Sequence, residues 1–179
     1  MKNIWHDFPA DRIQPDNFFA CIEIPKGGKI KYELDKETGL LMMDRVLYTS
    51  THYPANYGFI PRTYADDNDP LDVLVLCSEE LEPLSIVSCF PIGVITMIDG
   101  GALDEKIIAL PFGDPMYNNY KEIQDLPKHV ADEMMHFFEV YKALEGKETV
   151  IENVSGAAEA KEIISSCIEK YKLKFEGQQ

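Results

Sequence analysis

Cations are scarce in this chain. Seventeen Lys and Arg face 31 Asp and Glu across 179 residues, a formal net charge of -14. No basic field is available to draw in a polyanion at long range, which argues against nucleic acid as the main partner. A small phosphate ligand stays open, because it needs only a few placed Lys and Arg together with metal. Long apolar runs are also missing. None is long enough to span a bilayer, and the opening residues Met1–Lys2–Asn3–Ile4–Trp5 carry no apolar signal core. A cytoplasmic protein with no membrane partner is the expectation.

Paired cysteine motifs are absent. Cys21, Cys77, Cys89 and Cys167 lie mostly in apolar, strand-like surroundings and read as reduced, buried thiols rather than disulfides or zinc ligands. No phosphate loop or dinucleotide fingerprint occurs, which disfavours nucleotide-driven chemistry. His6, His52, His129 and His136 are scattered, without a Ser or Cys partner and without the helical pair of zinc proteases. Covalent catalysis is therefore disfavoured, and His136 reads as a helix packing or contact residue. With no repeat, low-complexity tract or linker, and with 45% hydrophobic and 27% charged residues, one globular domain over 1–179 is expected.

What the chain does have is acid concentrated in one place. Asp66–Asp67–Asn68–Asp69–Pro70–Leu71–Asp72 packs four carboxylates into seven residues and runs directly into an apolar segment, 73–76. Asn68 and Pro70 favour a turn, and Asp72 falls at the root of a strand over 71–76. Carboxylates this close repel unless something positive lies between them, and hard divalent cations are the usual occupant. An acidic surface turn is the alternative.

Upstream, 5–16 reads as an irregular arm and Phe18–Ile24 as a first strand ending at Pro25. Gly27–Gly28 reads as a hairpin turn rather than a phosphate cradle. Ile30–Leu34 alternates, with Lys31 and Glu33 on one face and Tyr32 and Leu34 on the other. A strand over 40–47 contains Asp44 and Arg45. The aromatic, proline-bearing segment 53–61 suits a fixed connection between strands. Downstream, 86–98 reads as one long or bent strand interrupted by Pro91 and Gly93. A second acidic turn, 99–106, holds Asp99 and Asp104, with a short strand 107–109 after it.

Asp125 offers an N-cap for a helix whose apolar residues Val130, Met134, Phe137, Tyr141 and Leu144 recur at helical spacing, with Gly146 marking its end. After a short strand, 149–151, Ser155 can cap a second helix with Ala157, Ala160, Ile164, Cys167, Ile168 and Tyr171 on its apolar face. The fold class is mainly β with helices: a small barrel or strongly curled sheet with two principal C-terminal helices packed against it.

Two acidic turns entered from strands, Asp67/Asp69/Asp72 and Asp99/Asp104, can share one rim of such a barrel. There they can surround a multi-metal site of the kind that clamps both oxygens of an in-line displacement. Two ordinary solvated turns are the other reading. Lys31, Arg45, Lys106, and Lys142 beside Tyr141 supply cations for a phosphate substrate.

Several segments together resemble the soluble inorganic pyrophosphatases of family I, in their short bacterial form. They are Glu23–Ile24–Pro25, Ile30–Lys31–Tyr32–Glu33, Asp44–Arg45, Tyr53–Pro54–Ala55–Asn56–Tyr57–Gly58 and Asp67–Asn68–Asp69–Pro70–Leu71–Asp72–Val73. Asp99, Asp104–Glu105–Lys106 and His136–Phe137–Phe138–Glu139–Val140–Tyr141–Lys142 complete the set. The resemblance covers nearly the whole chain and implies a five-stranded, OB-like closed barrel. It also implies hydrolysis of pyrophosphate to two orthophosphates by direct attack of a metal-activated water, using several Mg²⁺ per subunit, in a homohexamer built as two stacked trimers.

Carried over by position, Asp67, Asp72, Asp99 and Asp104 resemble the principal metal ligands, with Asp72 bridging two metals, and Glu23 serves metals that arrive with substrate. Asp69 resembles the acceptor of the water proton. Lys31, Arg45, Tyr57, Lys106, Tyr141 and Lys142 resemble the groups around the phosphoryl oxygens, and Glu33 and Asp44 are supporting acids. A non-enzymatic OB-like binding module and a metal-dependent hydrolase of another phosphate ester are the rival readings. Three positions depart from the pattern: Asn68 where Gly is common, Gly100 where many relatives carry Glu, and Asn153–Val154 in place of a frequent Gly–Trp. None removes a proposed metal ligand, so an intact fold and activity are expected.

Overall fold

Eight strands form within residues 3–177, the part of the chain that the computed structural model describes. They are β1 (Phe18–Ile24), β2 (Ile30–Leu34), β3 (Leu41–Val46), β4 (Asn56–Phe59), β5 (Asp72–Val75), β6 (Ile86–Asp99), β7 (Ala102–Pro111) and β8 (Thr149–Gly156). The helices are α1 (Ile4–Asp7), α2 (Lys128–Val140) and α3 (Ala157–Tyr171). Met1 and Lys2 of the opening stretch, like positions 178 and 179, lie outside the described residues.

Strands β1, β4, β5, β7 and β6 pair in that order, and a β1–β6 pairing closes them into a five-membered ring, the OB-like architecture expected. β6 can serve two neighbours on one edge because it is long and shifts register between Pro91 and Gly93. Its first residues pair with β1, and the stretch from Gly93 to Asp99 pairs with β8. Closure also needs a glycine. A Cβ at Gly58 would sit 1.9 Å from the Cys21 carbonyl oxygen, so only Gly lets β4 approach β1.

Successive strand residues point to opposite faces. Leu74, Met97, Ile108 and Leu110 join one apolar cluster with Met134, Phe137 and Phe138 of α2. Val73, Val75, Val94, Ile107 and Ala109 join another with Ala160, Ile164 and Cys167 of α3. Each large side chain so buried contributes about 1.5–3 kcal/mol relative to exposure, which holds the two helices on the ring. Cys21, Cys89 and Cys167 are buried, Cys77 is half-buried, and all four are free thiols.

Several boundaries differ from the sequence reading. The segment 53–61 contains strand β4, which pairs with both β1 and β5; its Pro and Gly residues disguise it as a loop. Gly27 adopts the left-handed φ of 79° expected of a turn, but the turn closes no hairpin, because β2 leaves the ring to pair with β3 as a separate ribbon. Residues 102–106 are strand rather than turn: only Gly100 and Gly101, both at positive φ, reverse the chain between Asp99 and Ala102.

Helix α2 starts at Lys128 with Pro127 at its cap. Asp125 instead closes a capping box with Glu122 on a preceding single 3-10 turn. The helix ends at Val140, and a 3-10 turn, Ala143–Glu145, runs to Gly146. Ser155 belongs to β8, and the Glu122 carboxylate caps α3 by accepting from Ala157 N at 2.8 Å. The arm 5–16 is more ordered than its composition suggests. Asn3 caps α1, and the buried Trp5 donates its indole N–H to Thr63 O at 2.8 Å.

Candidate active site

Strand register places the central groups. Asp72 on β5 and Lys106 on β7 are partners in a parallel pairing, so their side chains emerge side by side. Asp104 lies two residues from Lys106 on the same strand and therefore on the same face. The result is a buried cation between two carboxylates. Lys106 is 2% exposed, and its Nζ donates to Asp72 Oδ2 at 2.7 Å and to Asp104 Oδ1 at 3.0 Å. Tyr57 of β4 completes the group, donating its hydroxyl to Asp72 Oδ2 at 2.5 Å and accepting from Lys106 at 3.1 Å. The Phe138 and Tyr57 rings flank the ammonium at 5.2 and 5.4 Å from its nitrogen. Burial disfavours the charge on Lys106, but Asp72, Tyr57 and Asp104 outweigh it and hold its pKa well above the usual lysine value.

Bulges re-aim two further acids, as they often do beside functional sites. The β1–β4 register shifts between Ile22 and Ile24, leaving Glu23 unpaired in the ladder; its carboxylate accepts from Leu34 N at 2.7 Å. Burial, and then the nearby charge of Asp72, push Glu23 up to about 8. In the β2–β3 ribbon the shift falls opposite Asp44 and makes Lys31 and Arg45 direct partners. Two like charges facing one another across a ribbon need acids around them. Glu33 and Asp44 sit beside Lys31, the latter at 3.6 Å, and Asp44 and Glu145 flank Arg45.

The acidic turn supplies the opposite wall. Asn68 takes a φ of 72°, a left-handed geometry that fits the turn expected there, and Tyr64 donates its hydroxyl to Asn68 Oδ1 at 2.5 Å. The reversal lets Asp67 Oδ1 accept from Asp69 N at 3.0 Å. Asp69 itself pairs with Lys36 from the ribbon's turn. Across the site, Lys142, just past the end of α2, pairs with Asp99 at the end of β6.

A cavity of about 200 Å³ collects these groups. Glu23, Lys31, Glu33, Tyr57, Asp67, Asp69, Asp72, Asp99, Asp104, Lys106, Tyr141 and Lys142 all line it, while Asp44 and Arg45 stand behind the lining. Asp66 lies off the cavity and pairs with Lys170. Sequence reasoning missed Lys36 and Trp5, which also line the cavity with Lys36 Nζ 5.5 Å from the Trp5 ring. Lys36 looks like any Lys at a hairpin tip, and Trp5 lies in a segment without periodicity, so neither carried a signal.

A family model described as inorganic pyrophosphatase matches residues 20–172, a span that contains every one of these site residues from Glu23 to Lys142. The chain belongs to the inorganic pyrophosphatase family. The inorganic pyrophosphatase of Aquifex pyrophilus is 46% identical over 171 residues, covering 94% of this chain and 97% of that protein. Soluble inorganic pyrophosphatase 2 of Chlamydomonas reinhardtii is 48% identical over 168 residues, covering 93% and 87% respectively. Among solved structures, the inorganic pyrophosphatase from Thermus thermophilus superposes with a TM-score of 0.91 at 37% identity, covering 96% of this chain and 99% of that one.

Metal dependence is general to this family, and the donor set fits it. Seven carboxylates and no sulfur or imidazole line the cavity, which is the ligand chemistry of a hard cation such as Mg²⁺. Burial, more than any neighbouring charge, pushes Glu23 up to about 8, and a cation beside it would favour its ionised form. Lys106 meanwhile sits between the Asp72 and Asp104 carboxylates. Among the described residues no three acidic, His or Cys side chains converge closely enough to grip an ion as they stand.

Proposed function

We infer that this chain hydrolyses inorganic pyrophosphate to two orthophosphates by direct attack of water, with no phosphoenzyme. The observation that carries the reading is the single cavity into which two separate acidic segments and the cations Lys31, Lys106 and Lys142 converge. Asp67, Asp72, Asp99 and Asp104 would hold Mg²⁺, several per subunit, and Glu23 would serve those that enter with substrate. Bound Mg²⁺ supplies Lewis acidity and offsets the charge of an anionic substrate in an acidic protein. Asp69 orients the attacking water and takes its proton on a carboxylate oxygen. To do so it leaves Lys36, a partner about half exposed and so free to swing away.

Lys31, Arg45, Lys106 and Lys142 meet the phosphoryl oxygens, and Tyr57 and Tyr141 hold the hydrogen-bond network around them. Their charge is in place before the reaction and stabilises the developing charge on the leaving phosphate. Glu33 and Asp44 keep Lys31 and Arg45 oriented. The working unit is one domain over 1–179, cytoplasmic, and assembled as a homohexamer of two trimers. The face of α2 bearing the exposed His136 serves as a contact region. Among the described residues no helix is long and apolar enough to cross a membrane.

The test is phosphate release from pyrophosphate with and without Mg²⁺, beside ATP and a simple phosphomonoester. Turnover of pyrophosphate only when metal is present is the expected result. No turnover at saturating Mg²⁺ defeats the reading, and a faster reaction with either ester moves the protein to a different substrate class. Size measurement in solution checks the hexamer.

A further inference from the structure

Arg45 and Glu145 stand 100 residues apart in sequence and meet at the edge of the site, with Arg45 Nε donating to Glu145 Oε1 at 2.8 Å. The pair is well covered: the Glu145 side chain is 8% exposed and that of Arg45 19%. Glu145 is also fixed from below. It closes the 3-10 turn Ala143–Glu145, its backbone N–H donates to Lys142 O at 2.9 Å, and Gly146 at φ 69° ends the turn. Its carboxylate thus holds one substrate cation while its backbone holds the turn that begins at another.

The guanidinium fork explains why such a clamp matters. Nε is committed to Glu145 and Nη1 to Asp44, while Nη2 is buried without a hydrogen-bond partner among the described residues. A buried unpaired donor calls for an acceptor. Lys31 faces Arg45 directly across the ribbon and repels it, so an unclamped guanidinium would move away from the site rather than into it.

We propose that Glu145 is a positioning residue for pyrophosphate hydrolysis: it locks Arg45 by its Nε in the wall beside Lys31, and it ties the β2–β3 ribbon to the Lys142 turn. The inference rests on the substrate role given to Arg45 above. Glu145 touches no substrate and acts through Arg45.

The experiment compares wild type, Arg45→Ala, Glu145→Ala, Glu145→Gln and the double variant Arg45→Ala/Glu145→Ala in steady-state hydrolysis of Mg²⁺–pyrophosphate, with thermal unfolding of each. Glu145→Ala is expected to lower kcat/KM by about 10- to 100-fold, mainly through KM. Glu145→Gln keeps an oxygen acceptor for Nε and is expected to recover much of that loss. In the Arg45→Ala background Glu145→Ala is expected to add less than about twofold, because residues acting as a unit are not additive. A full-sized Glu145→Ala effect in that background overturns the inference, as does a Glu145→Ala enzyme with unchanged kcat and KM where Arg45→Ala is impaired. An Arg45→Ala enzyme that behaves as wild type overturns both the inference and the assignment of Arg45, while wild-type inactivity strikes the proposed function itself.

Discussion

Asp72 and Lys106 are register partners on parallel neighbouring strands, so the 2.7 Å salt bridge between them is built into the sheet. Asp104 and Tyr57 complete a box in which one buried ammonium is in direct contact with both acids. Buried ion pairs gain little over apolar packing, yet removing one partner is costly because the other is left without compensation. This box therefore has an electrostatic balance that metal can change.

Lys106→Met tests that balance. Without Mg²⁺ the variant leaves Asp72 and Asp104 facing one another near Glu23, and a loss of about 3–5 kcal/mol is expected. Saturating Mg²⁺ supplies positive charge to the same oxygens and is expected to restore a large part of the stability while activity stays low. Thermal unfolding in chelator and in Mg²⁺ reads both quantities. An equal loss under the two conditions refutes the idea that Lys106 and metal act on a shared set of carboxylates.

Legibility in the sequence followed how strongly each residue's neighbours constrained it. Phe18–Ile24 is an apolar run that ends at Pro25, and Ile30–Leu34 alternates in sequence and ends at a polar turn, so their limits were plain from the pattern. β4 was hidden because Pro54, Asn56 and Gly58 are loop-formers by composition; only the close approach to Cys21 explains the glycine. The lower half of β7 was hidden because Asp104, Glu105 and Lys106 are charged, and a strand facing a polar cavity loses its apolar alternation.

The acidic turn announced itself by density, whereas Glu23 is one acid in an apolar strand. Its aim depends on a bulge that no local pattern encodes. Residue reasoning alone reached a metal-dependent phosphate chemistry at two acidic segments. The individual roles came from family resemblance, and the pairing of Lys36 with Asp69 came only from three-dimensional proximity.

Asn68 tests the geometry of the acidic turn. A side chain with a Cβ pays roughly 1–2 kcal/mol in the left-handed region, less for Asn than for Ala. Asn68→Ala also removes the acceptor for Tyr64, so a loss of about 1–2 kcal/mol is expected from urea unfolding. Asn68→Gly relieves the backbone while losing the same bond, and should lie within about 1 kcal/mol of wild type. An Asn68→Ala protein as stable as Asn68→Gly contradicts the left-handed assignment.

Asp114 sets part of the acid limit. Its buried carboxylate accepts from Ser78 N at 2.7 Å and Met116 N at 2.9 Å, tying the loop after β5 to the loop after β7. Burial pushes its pKa up, but the bonds from Ser78 and Met116 outweigh it and hold the group below the ordinary aspartate value. A depressed folded-state pKa contributes stability that is present above the unfolded value, about 3.9, and is lost as pH falls through the lower folded value. Asp114→Asn is expected to cost about 1–3 kcal/mol at pH 7. The gap between variant and wild type should narrow below about pH 4. Urea unfolding across that range decides it, and a gap independent of pH rules the carboxylate out as the source.

Asp69→Asn separates metal binding from proton transfer. Asp69 lies in the same turn as Asp67 but points its carboxylate at Lys36, while Asp67 accepts the backbone N–H of Asp69. Asn keeps that backbone bond and the shape of the turn, but it cannot take a proton from water near neutral pH. Loss of a positioned general base costs on the order of 10²–10⁴ in rate. The expected result is calorimetric Mg²⁺ binding close to wild type, with phosphate release slowed by that factor. Binding and turnover that fall together would instead make Asp69 a metal ligand, and unchanged turnover would leave the proton acceptor to be sought among Asp67, Glu23 and the other acids of the cavity.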